Sequence, residues 1–80
     1  MDESYLREHL EQADEHVARA KEQVARQKQV IAELERTGHN ATPAVSMLNA
    51  LEHGLHAFEQ HREVILELLA QEIARKSGTP

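Results

Sequence analysis

Cysteine is absent from these 80 residues, so neither a disulfide nor a thiolate metal site can staple the chain. Aromatic side chains are almost absent as well, with one Tyr, one Phe and no Trp. The three glycines stand apart at 38, 54 and 78, which rules out a glycine-rich loop cradling a phosphate. Long apolar runs are missing: Val64-Ile65-Leu66 is cut by Glu67, far short of the roughly 18 to 20 residues that cross a bilayer. Met1-Asp2-Glu3-Ser4 has neither the basic segment nor the apolar core of a secretory signal, so a cytoplasmic protein with no membrane span is expected.

Positive charge is also scarce, with nine Lys and Arg against fourteen Asp and Glu and a net charge of −5. The most basic stretch, Arg19 to Lys28, contains Glu22 and no aromatic residue on which a base could stack, so no direct nucleic-acid binding is expected. Catalysis has little to work with. Hydroxyl nucleophiles such as Ser4, Ser46 and Ser77 fall at helix starts and ends, where capping accounts for them, and carboxylate pairs such as Glu11 and Glu15 lie on an outer face. The chain therefore reads as a non-enzyme that needs no cofactor.

What the chain does have is a heptad seam. Leu6, Leu10, Ala13, Val17, Ala20, Val24, Gln27, Ile31 and Leu34 follow one another at steps of four and three, which returns them to one face of a helix and requires a second helix to bury them. Gly38-His39-Asn40-Ala41-Thr42-Pro43 is the one strong interruption. Gly38 suits the left-handed close of a helix, Thr42 a cap, and Pro43 the next first turn.

One domain over 1–80 follows: a helix over about 2–37, a turn at 38–42, a helix over about 43–76 and a frayed tail at 77–80. Each helix is about 50 Å long at 1.5 Å per residue. The short connection makes them an antiparallel, coiled-coil-like hairpin, an all-α fold. Folding at the turn sets Ala20 against Phe58, Ala13 against Ile65, Val24 against Leu55 and Leu6 against Ile73, so that small residues meet large ones. Val17 then faces Arg62. Acid-before-base pairs four apart (Glu3 and Arg7, Glu15 and Arg19, Glu22 and Arg26, Glu72 and Lys76) support the outer faces.

The second helix is apolar over more than one partner can cover, which predicts a homodimer forming a four-helix bundle, or docking of a partner protein's helix. The expected interface residues are Leu51, Leu55, Phe58, Val64, Ile65 and Leu68. Gly54, which weakens the helix by about 0.5 to 1 kcal/mol relative to Ala, is either a close-approach point in such a dimer or a tolerated defect.

Six histidines invite a second reading, a metal-binding or pH-responsive protein. His53 and His56 are three apart on one helix, and the folded pairing brings His16 near His61. Neither pair comes with third and fourth ligands at a familiar zinc spacing, and neither an HExxH pair nor a di-iron Glu-x-x-His motif is present. No metal is therefore expected. Protonating all six, each with an ordinary pKa near 6.5, would carry the charge from −5 to about +1, so the assembly is expected to loosen between about pH 6.5 and 5. A third reading, a small regulator acting with a DNA-binding partner, is weakened by the acidic charge.

His9-Leu10, His16-Val17-Ala18, the block Ala25-Arg26-Gln27-Lys28-Gln29-Val30-Ile31-Ala32-Glu33-Leu34-Glu35-Arg36-Thr37-Gly38-His39 and His61-Arg62 resemble a group of short bacterial proteins seen especially in rhizobia and related alphaproteobacteria. The resemblance implies a cytoplasmic bacterial helical hairpin of unassigned function, and carries over no catalytic or binding residue.

Overall fold

The structure, a computed structural model, describes residues 2–78. Two helices, α1 (Glu3–Arg36) and α2 (Thr42–Ser77), lie side by side in a rod of 68 × 14 × 13 Å. Among the described residues there is no other regular element, and no helix is long and apolar enough to cross a membrane. Met1, Thr79 and Pro80, the last two belonging to the expected frayed tail, lie outside the described residues. Ser77, also assigned to that tail, is instead helical, and its hydroxyl donates to the Ile73 carbonyl.

Asp2 opens α1 by accepting the Ser4 N–H on its carboxylate, and the turn closes α1 through Gly38. The His39 N–H reaches the Leu34 carbonyl at 2.8 Å and the Gly38 N–H reaches Glu35 at 3.2 Å, the paired bonds of a Schellman close. Gly38 stands at φ 76°, and a Cβ there would meet nothing within 4 Å, so only the backbone conformation calls for glycine. Gly38→Ala is expected to destabilise the hairpin by about 1 to 2 kcal/mol, the left-handed penalty of an L-residue, read as a shift in urea midpoint without a change in slope.

The other end of the turn corrects the expected cap. Thr42 is not the capping residue. The Val45 N–H bonds the Ala41 carbonyl, so the helix begins one residue earlier than Pro43, and the Asn40 side chain takes the Thr42 N–H at 3.1 Å. Gly78 closes α2 at φ −89°, with no left-handed step.

The α1 seam lies where its spacing put it: Leu6, Ala13, Val17, Ala20 and Val24 are buried, while Leu10, Gln27, Ile31 and Leu34 are half-buried toward α2. Gln27 interrupts the apolar line usefully, since its side-chain amide donates to the Ala44 carbonyl at 2.9 Å and ties the turn ends of both helices together. On α2 the inward positions are Leu48, Leu51, Leu55, Arg62, Ile65, Leu69 and Glu72.

Two contacts differ from the expected pairing. Phe58 turns its ring to His16, with centroids 5.1 Å apart, one turn from Ala20, and remains 39 % exposed. Glu72, not Ile73, takes the buried position near the open end, because heptad spacing from Ile65 and Leu69 points to residue 72; Ile73 is 41 % exposed.

A buried carboxylate needs partners. Arg75 supplies two hydrogen bonds to Glu72, at 2.6 and 3.2 Å, and these hold its carboxyl below the ordinary pKa against the opposing effect of burial. Lys76, expected beside Glu72, reaches across to Glu3 at 3.8 Å. Glu3 with Arg7 and Glu15 with Arg19 pair as expected, whereas Glu22 and Arg26 make no ion pair among the described residues. A group whose folded pKa is depressed contributes stability that is present above its unfolded value, near 4.3, and lost as pH falls through the folded value. Melting temperature is therefore expected to fall below about pH 4.3, and Glu72→Gln to flatten that fall.

Candidate association surface

The two long edges of the hairpin differ in chemistry because heptad spacing sends different residues to each. Along one edge Asp14, Lys21, Glu59, Arg62 and Glu63 line a charged hollow, with buried Val17 at its base and exposed Ala18 beside it. Arg62 crosses from α2 to donate its Nε–H to Asp14 at 2.5 Å, a bond that raises the guanidinium pKa above its ordinary value. Arg62, expected opposite Val17, thus links the two helices through an ion pair at the surface of this edge. His53 and His56 border a separate shallow hollow on the outer face of α2, with Asn49 and Glu52.

The opposite edge is apolar. Near the open end Tyr5, His9, His61, Val64 and Leu68 surround a hollow whose floor is Leu6 and Ile65. Tyr5 and His9 stack with centroids 4.4 Å apart. His16 and Phe58 form the next ring pair along. Toward the turn, Val30, Met47 and Leu51 line a further hollow with Gln23, Arg26 and Gln27. Tyr5, Val30, Met47, Phe58 and Val64 on this edge are 39–54 % exposed, which leaves Val45 and Ile73 as the large exposed apolar residues placed elsewhere.

The expected interface set divides accordingly. Val64 lies open to solvent, Phe58 is partly open, and Leu51, Leu55 and Leu68 are half-buried, so all five keep surface for a partner. Ile65 does not. At 4 % exposure it is spent inside the hairpin, because it sits on the α1-facing seam while its neighbour Val64 is rotated out. Met47, Tyr5 and Val30 complete the apolar edge, and the interface set read from spacing omits them. Tyr5 and Val30 stand off the α1 seam, and only the antiparallel pairing shows that they share an edge with Met47 and Val64.

The histidines named as weak metal candidates are dispersed among different neighbours. His16 stacks on Phe58, His61 lies beside Tyr5 and His9 at the apolar hollow, and His53 and His56 face outward. Among the described residues no three His, Cys, Asp or Glu side chains converge on one point. Compared with known proteins, the chain matches no family model, no curated protein and no solved structure.

Proposed function

We propose that the chain is a cytoplasmic structural or protein-interaction module, without a catalytic step, whose hairpin self-associates through its apolar edge into a four-helix bundle. The supporting observation is that edge itself, where five large apolar side chains stay 39–54 % exposed on one side of a two-helix layer. Contiguous apolar surface of this kind marks interaction sites in soluble proteins. Total area agrees in direction: the chain exposes 5975 Å², against roughly 4,900 Å² for a compact monomer of 9.1 kDa. That excess of roughly 1,100 Å² compares with about 800 Å² that each partner buries in a standard interface. Light scattering on the purified chain tests the proposal. A mass of two chains is expected, and a monomer persisting at high micromolar concentration would overturn it.

A further inference from the structure

We infer that the second copy docks on α2 itself, antiparallel to it, along a second heptad seam that α2 carries beside the one facing α1. This rests on the self-association proposed above and names its partner surface. Ala50, Gly54, His61, Val64 and Leu68 each precede by one residue an inward position of α2, Leu51, Leu55, Arg62, Ile65 and Leu69, and Ala57 precedes Phe58, which holds the intervening repeat position with its ring turned to His16. They repeat the same four-three spacing, rotated by about 100° around the helix at 3.6 residues per turn. A helix at the corner of a four-helix bundle needs two seams near a right angle, one for each neighbour.

The row is complementary to itself. Its small residues lie toward the turn and its large ones toward the open end, so two copies running antiparallel about an axis level with Glu59 set Ala57 against His61, Gly54 against Val64 and Ala50 against Leu68. A parallel pairing would place Val64 against Val64 and Gly54 against Gly54, a clash next to a void. Nothing charged interrupts the row. On its outer flank the antiparallel arrangement brings His53 of one copy opposite Glu67 of the other. The other flank of α2 rejects the same operation, since Glu52, Glu59 and Glu63 lie along it and Glu59 would meet its own copy.

Gly54 then has a purpose that the single hairpin does not supply. A Cβ at this position would meet nothing within 4 Å, so the hairpin itself does not call for glycine there. Val64 of the second copy would take that space. The axis also passes α1 close to His16 and Val17, the level that Phe58 and Arg62 reach, which brings Tyr5 of one copy within about a turn of Val30 of the other.

The test compares wild type with Gly54→Gln, Val64→Gln and, on the opposite flank, Val45→Gln, by sedimentation and by circular dichroism. Wild type and Val45→Gln are expected to dimerise alike. Gly54→Gln and Val64→Gln should keep full helicity while their dimer dissociation constants rise on the order of tenfold or more. Helicity separates a lost interface from a lost fold, and Val64→Gln leaves the helix backbone unaltered. If both variants dimerise as tightly as wild type, self-association stands and this face is overturned. Should Val45→Gln weaken the dimer as much as Val64→Gln, the assignment to this flank is likewise overturned. A monomeric wild type overturns the self-association proposal itself, and the face with it.

Discussion

Ile65→Ala is expected to lower the stability of the hairpin by about 2 to 5 kcal/mol, the range for truncating a buried aliphatic side chain and leaving a cavity. Ile65 is 4 % exposed and packs in the α1-facing row between Arg62 and Leu69. A chain of 80 residues has a small core, so a loss of this size takes much of its stability and the variant should be substantially unfolded near 37 °C. Ile73→Ala provides the contrast. Its side chain is 41 % exposed and lies beside the row, and the same truncation there should cost less than half as much. Urea unfolding followed by circular dichroism measures both. Equal losses would mean that Ile73, not Glu72, faces α1.

Ala20→Leu is expected to destabilise by about 1 to 3 kcal/mol, because three added carbons must enter a seam already closed around Ala20, which is 6 % exposed. Ala18 is exposed, two residues away on the same helix, and borders the open charged hollow, where a Leu side chain has room. Thermal melts of the two variants should separate clearly, with Ala18→Leu close to wild type. Equal melting temperatures would place Ala20 outside the interface and overturn this packing. The comparison controls for helix propensity, since the substitution is identical and both sites are interior to α1.

Much of the architecture is legible from spacing alone. A four-three repeat needs no tertiary information to define a face, so the repeat by itself marks the α1 line from Leu6 to Leu34, of which Leu6, Ala13, Val17, Ala20 and Val24 are buried and Leu10, Gln27, Ile31 and Leu34 half-buried. Gly38 is legible for a similar reason, since few residues accept a left-handed backbone and the close of a long helix asks for one. The α2 side is harder. Apolarity singles out Ile73, but position in the repeat decides which side chain turns inward, and Glu72 occupies that position with Arg75 to satisfy its carboxylate. Thr42 misleads in the same way, because a residue type suited to capping caps only if the chain enters the helix at that point, and Asn40 and Ala41 lie there instead.

The sequence by itself determined that this is a two-helix antiparallel hairpin, because hydrophobic periodicity, a glycine-proline interruption and a short connection are local properties, read within a few residues of one another. Only the tertiary structure decided how the edges differ. Which residues of α1 share an edge with which residues of α2 depends on rotation about both helix axes and on their relative slide, quantities to which every part of the chain contributes. Those two settings brought Arg62 to Asp14 on one edge and His16 to Phe58 on the other. They also left Val64 in solvent while its neighbour Ile65 closed the core, since one step along a helix turns a side chain by about 100°.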